Sequence, residues 1–177
     1  MRYEIVTRSP DELSERELDD FIALVLQGDE VTPANLEERV RKAERLILLS
    51  AAGCLSGIGA LKKPNASYRR RVVSRSGTSL PVSEYPFELG WIFVSPSHRG
   101  KGLAGRIVEA AVSVANGVGV FATSRSENTA IHKVLQRHGF FHTGKIYPSD
   151  HGSHELQLLV RAPCERRAAG SVYVSRG

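Results

Sequence analysis

The chain reads as an α+β protein, and three observations carry that reading. Two amphipathic helical stripes near the start give way to short apolar runs of strand length, "RLILLSA" and "CLSGIGALKK". A strand-like "FELGWIFV" then runs through a basic, glycine-dense turn into another helical stripe, and "FFHTGKIY" with "HELQLLVRA" closes the pattern as a strand pair. Helix and strand differ in hydrophobic period, about 3.6 against 2, so the switches along the chain mark the elements.

Taken in order, "YEIVT" predicts a first strand. Ser14 and Glu17 stand in capping-box relation ahead of "ELDDFIALVLQG", where Leu18, Phe21, Ile22 and Val25 share a face and Gly28 ends it. A second helix is expected over "TPANLEERVRKA", with Thr32 as N-cap, Pro33 at the first helical position and Leu36, Val40 and Ala43 as its stripe. The two apolar runs form a hairpin about the "AAG" turn. Residues 64–86, "PNASYRRRVVSRSGTSLPVSEYP", break every period, which predicts a long loop, solvated or serving as a substrate-facing lid. After the central strand, "LAGRIVEAAVSVAN" is a helix, "VGVFATS" a strand, and "NTAIHKVLQRHG" a short helix capped by Asn128 and ended by Gly139.

A length of 177 residues suits one domain, expected over 1–162 with a basic tail over 163–177. The formal charge of +5 favours anionic partners through the long-range field, without saying which. Arg69, Arg70 and Arg71, with the arginines of the tail, leave nucleic-acid association open. Two cysteines and no apolar leader or membrane-length run predict a cytoplasmic protein without a disulfide framework. Cys54, within an apolar stretch, is expected to be a buried, inert thiol. His151, His154 and Glu155 lie close together but lack further ligands, so no metal is predicted.

Chemistry concentrates in "VSPSHRGKGLAGRIVEAA". Gly100, Gly102 and Gly105 satisfy G-x-G-x-x-G, with Glu127 downstream, yet Ser95 to Arg99 separate the first glycine from the strand, which argues against a dinucleotide fold. The P-loop pattern is absent, since Gly102 follows Lys101. What remains is R-x-x-G-x-A, Arg99, Gly102 and Ala104, opening a helix. Small residues admit an anion to the backbone, the first helical N–H groups lack intrahelical acceptors, and Arg99 and Lys101 add charge.

This stretch resembles the acyl-CoA motif of the GCN5-related N-acetyltransferase (GNAT) family. "ENTAIHKVLQRHGFF", with Asn128, Gly139 and Phe140, is similar to the family's second segment. The resemblance covers roughly residues 1–162 and is strongest over 88–141. It implies a central mixed, mostly antiparallel twisted sheet flanked by helices, in the order β-α-α-β-β-β-α-β-α-β-β. It also implies acetyl-CoA as co-substrate, with Arg99, Gly100, Lys101, Gly102, Leu103, Ala104 and Gly105 at the pyrophosphate. Pantetheine would then lie in a gap beside the backbone of Ile92, Phe93 and Val94, with Asn128 nearby.

An amine acceptor needs a general base, and Glu88, eleven positions ahead of Arg99, stands where the family's histone acetyltransferases carry a glutamate. Glu84 is the weaker substitute. Leu135 occupies the position where many members have a tyrosine that protonates the thiolate; His132, His138, Tyr147 and solvent are the replacements considered. The function expected is acetyl transfer to a primary amine on a small molecule or peptide. The alternatives are a non-catalytic acyl-CoA-binding or partner-binding module, and an acyltransferase for a nucleic-acid-associated amine. Homodimers are frequent among the proteins it resembles.

Overall fold

The computed structural model describes residues 2–28 and 31–164. Residues 165–177, most of the expected basic tail, lie outside them. Among the described residues, seven strands form one sheet: β1 (Tyr3–Arg8), β2 (Arg45–Ala51), β3 (Cys54–Lys62), β4 (Phe87–Val94), β5 (Val120–Arg125), β6 (Phe141–Pro148) and β7 (Glu155–Arg161). Their spatial order is β1-β2-β3-β4-β5-β7-β6, antiparallel throughout except for the parallel pair β4–β5. Five α-helices cover it among the described residues: α1 (Glu15–Gln27), α2 (Leu36–Arg41), α3 (Ala66–Ser76), α4 (Leu103–Val114) and α5 (Thr129–Arg137).

Strand alternation sorts the core onto two faces. Leu46, Leu48, Ile58 and Ala60 point toward α1 and α2, where Leu18, Phe21, Val25, Leu36 and Val40 meet them. Ile47, Leu49, Leu61 and Leu89 point the other way, onto Leu103, Ile107, Val108 and Ala111 of α4, with Leu135 of α5 behind. A third cluster joins Val72 of α3 to Leu80, Phe121, Leu158 and Val160. Gly59 permits the close approach of α4, because a Cβ built there would overlap Ile107 Cγ2.

Local signals explain most boundaries. Ser14 Oγ accepts from Glu17 N at 3.3 Å while Glu17 reaches back to Ser14 N at 2.9 Å, the reciprocal box the spacing predicts. The second helix starts later than expected. Its N-cap is Asn35 in the left-handed region, φ 55°, and Thr32 and Pro33 belong to the turn before it. Thr32 instead gives its carbonyl to Arg39, at 2.7 Å.

The largest departure is α3, inside the segment expected to be a loop. Asn65 caps it, accepting from Tyr68 N at 2.8 Å, and Gly77 closes it at φ 69° with N–H donated to Val73 O. Its buried face is Arg69, Val72 and Ser76, so two polar residues interrupt the apolar stripe by which a helix is recognised. Arg69 is buried with its guanidinium over the Phe121 ring at 5.3 Å and donates to Leu80 O at 2.8 Å. Arg71 and Arg75 pair with Asp150, fastening α3 to the β6–β7 hairpin. Cys54 also departs from expectation: it is exposed, since it opens β3 directly after the turn rather than lying in the strand's interior.

Candidate functional site

Strand β4 carries the site because of an irregularity. Opposite β3, Ile58 pairs with Phe93 and Ala60 with Gly90, so one residue of β3 faces two of β4. Trp91 takes up the extra residue at φ 53°, and such a bulge bends its strand. On its other side β4 meets β5 at two pairs alone, Phe87 with Val120 and Glu88 with Phe121. Beyond Glu88 the strands form a fork, leaving the β5-facing backbone of Ile92, Phe93 and Val94 without ladder partners.

The glycine turn stands at the open end of that fork. A short 3-10 turn, Pro96–His98, leads into it, and Gly100 and Gly102 adopt φ 77° and 72°, where a side chain would be strained. The first bond into α4 is Arg106 N to Gly102 O, so the N–H groups of Leu103, Ala104 and Gly105 have no acceptor within the helix. Arg99 folds back over Phe93 and donates to Val94 O at 2.9 Å; Lys101 donates to Tyr3 Oη at 3.0 Å. Tyr3 also meets His98 Nδ1 at 3.1 Å, which ties the first strand to the turn. Among the described residues no carboxylate pairs with Arg99, Lys101 or Arg106. The N-terminus of α4 is therefore a cationic rim around open backbone donors, suited to a phosphate or pyrophosphate.

Glu88 stands at the closed end. It is 3% exposed, far from the solvent-facing strand start that a lone charged residue suggests. Three donors converge on its carboxylate: Tyr68 Oη of α3 at 2.8 Å and Thr123 Oγ1 of β5 at 3.1 Å on Oε1, and Lys62 Nζ of β3 at 2.9 Å on Oε2. Tyr68 and Thr123 hydroxyls are themselves 3.0 Å apart. The Lys62 arm crosses β4 where Gly90 leaves room, and its ammonium lies 5.2 Å from the Trp91 ring. Burial, then the charge of Glu88, push the Tyr68 phenol well above its ordinary value. Tyr147 is likewise pushed up to about 12 by burial and then by Glu88; its buried hydroxyl has no hydrogen-bond partner among the described residues.

The remaining candidates fall elsewhere. Asn128 follows β5 and spends its side-chain oxygen as the cap of α5, accepting from Ile131 N at 3.3 Å. Leu135 is buried in the core against α4. His138 lies beside the first turn of α4, its Nε2 3.4 Å from where a Cβ of Gly105 would be. His132 is buried and meets His142 Nε2 through Nδ1 at 3.2 Å. Glu84 is exposed, and its carbonyl accepts from Gly119 N at 2.8 Å. Lys62, Tyr68 and Thr123 carry no motif; what places them is the register Lys62↔Glu88, the unforeseen helix α3, and a position two residues beyond Phe121.

A forked, mixed seven-stranded sheet agrees with the comparisons. The model of the acetyltransferase (GNAT) family matches residues 11–140, and the chain belongs to that family. Among solved structures, Escherichia coli ElaA is similar with TM-score 0.68 and 15% identity, over 90% of this chain and 99% of that one. The ribosomal-protein-S18-alanine N-acetyltransferase from Escherichia coli is similar with TM-score 0.65 and 15% identity, over 95% and 99%. An acyl-CoA N-acyltransferase from Pseudomonas aeruginosa gives TM-score 0.65 and 16% identity, over 91% and 100%. These likenesses show the fold; no curated protein matches the chain in sequence. No helix among the described residues is long and apolar enough to cross a membrane.

Proposed function

We propose that the protein moves an acetyl group from acetyl-CoA to a primary amine by direct attack, with Glu88 as general base. One observation carries the reading: the cationic turn and the buried Glu88 stand at opposite ends of the same fork. From Val94 back to Glu88, β4 rises roughly 20 Å at the usual strand spacing, so an extended arm anchored at the turn reaches the carboxylate. The pyrophosphate would rest on the N–H groups of Leu103, Ala104 and Gly105, within the charges of Arg99 and Lys101. Pantetheine amides would bond to the backbone of Ile92, Phe93 and Val94, which has no ladder partner on β5, with Arg99 giving up its bond to Val94 O. Glu88 then faces the acyl end and accepts the proton that the attacking amine nitrogen loses as the C–N bond forms.

Leu135, packed in the core, keeps the second reading in view: an acyl-CoA-binding module without transfer. An acceptor on nucleic acid has less support. Arg69 is buried and Arg71 is paired with Asp150, so the triplet does not form one basic surface. The test is calorimetry with acetyl-CoA, followed by a thiol-release screen over small amines, peptides and tRNA. Binding with release establishes the transferase; binding without release across the panel favours the module; absence of binding overturns both.

A further inference from the structure

We propose that Tyr68, on the helix inserted between β3 and β4, is the catalytic acid that hands the departing CoA thiolate its proton. The inference rests on the acetyl-transfer reading and on Glu88 as its base.

Tyr68 Oη is bonded to both arms of the fork at the point where they part. It lies 2.8 Å from Glu88 on β4 and 3.0 Å from Thr123 on β5. An acyl-CoA arm running down the fork from the glycine turn ends against this group. Leu135 supplies no hydroxyl, and neither imidazole offered by the sequence reaches the vertex. His132 is engaged with His142, and His138 sits at the fork's mouth beside Gly105.

The proton path runs through Glu88 and Tyr68, with the Thr123 hydroxyl bonded to both. At rest Tyr68 donates to Glu88, and Thr123 can donate to either of them. The neutral amine nitrogen attacks the thioester carbonyl carbon, the C–N bond forms, and the one proton that the now cationic nitrogen of the tetrahedral intermediate must lose passes to the Glu88 carboxylate. Glu88, now a carboxylic acid, donates to Tyr68 Oη, so the hydrogen bond between them reverses. The phenolic hydrogen is thereby released toward the sulfur as the C–S bond breaks. The products are the amide and neutral CoA thiol; Glu88 has passed its extra proton to Tyr68, which regains the hydrogen it gave. Because burial and the neighbouring carboxylate hold the phenol firmly protonated, the transfer runs as a relay and does not pass through a standing phenolate. The thiolate, of pKa about 8.5, receives its proton without bulk water.

The experiment compares the unmodified protein, Tyr68→Phe, and protein carrying 3,5-difluorotyrosine at position 68. Thiol release is followed at saturating acetyl-CoA over hydroxylamine, small primary amines and peptide N-termini, with the acetyl-CoA Kd measured separately. Tyr68→Phe is expected to keep its Kd and lose about 100-fold or more in kcat, the scale of general acid catalysis. The difluoro variant, whose hydroxyl is in place but more acidic, is expected to restore turnover and move the alkaline limb of the pH profile downward. Tyr68→Phe turnover close to the unmodified protein's, or a pH profile indifferent to fluorination, would overturn the role of Tyr68 while leaving acetyl transfer standing. No release from the unmodified protein, with acetyl-CoA bound, would overturn the transfer reading and this proposal with it.

Discussion

Glu88→Gln separates catalysis from architecture, because the amide keeps shape and hydrogen-bond acceptance while losing charge and basicity. The structural cost can be bounded. Removing one member of a buried ion pair costs about 3–5 kcal/mol when the other charge is stranded. Lys62 is not fully stranded: its side chain is 21% exposed and its ammonium keeps the Trp91 ring at 5.2 Å. Tyr68 and Thr123 can still donate to the amide oxygen. A loss of about 1–2 kcal/mol follows, lowering Tm by roughly 2–8 °C for a chain of this size. Losing a general base costs about 100- to 10,000-fold in rate, equivalent to about 3–5 kcal/mol of barrier. The assay is thiol release at saturating acetyl-CoA across pH, beside calorimetric Kd and a melting curve. The expected result is a collapsed kcat, an altered pH profile, unchanged Kd and a modestly lower Tm. If Tm falls as stated while kcat stays within about threefold at every pH, Glu88 serves to hold β3, β4 and α3 together and is no base.

Other substitutions probe the frame. Gly59→Ala should cost about 1–3 kcal/mol by driving a methyl into Ile107; removing that side chain in the double variant with Ile107→Ala should give non-additive melting free energies. Gly102→Ala meets no neighbour but must hold φ 72°, so it should weaken acetyl-CoA binding several-fold by calorimetry while the fold survives. His132 is held below its ordinary value of 6.5 by burial and by the charge of His142. The unfolded chain therefore binds more protons, and stability should fall as pH drops below 6.5; His132→Leu should flatten that part of the Tm–pH curve. Tyr147, pushed up to about 12, keeps its proton where an unfolded tyrosine loses it. Stability should accordingly fall as pH rises from about 10 toward 12, and phenolate absorbance should lag behind that of free tyrosine until unfolding.

The glycine turn was legible in sequence, and the surroundings of Glu88 mostly were not. Gly100 and Gly102 announce themselves because two left-handed positions ahead of a helix demand glycine, and Ser14 with Glu17 because capping is a local bond. Helix α3 carried its punctuation openly, Asn65 before and Gly77 after, but Arg69 and Ser76 occupy its buried face and erase the stripe. Trp91 hides the bulge for a related reason: an aromatic residue advertises a regular strand, while tertiary pairing forces it to φ 53°. Lys62, Tyr68 and Thr123 come together through register and an inserted helix, relations between distant segments that no single window contains.

Among the described residues, two rungs, Phe87–Val120 and Glu88–Phe121, are the only ladder between a four-stranded half, β1 to β4, and a three-stranded half, β5, β7 and β6. Helix α4 spans the seam on one face, and the Glu88–Tyr68–Thr123 triangle stitches it on the other. The seam is thus a hinge with its pin at the Glu88 carboxylate. Amide exchange should find the halves protected as separate units, and whatever lies in the fork serves as the mortar between them.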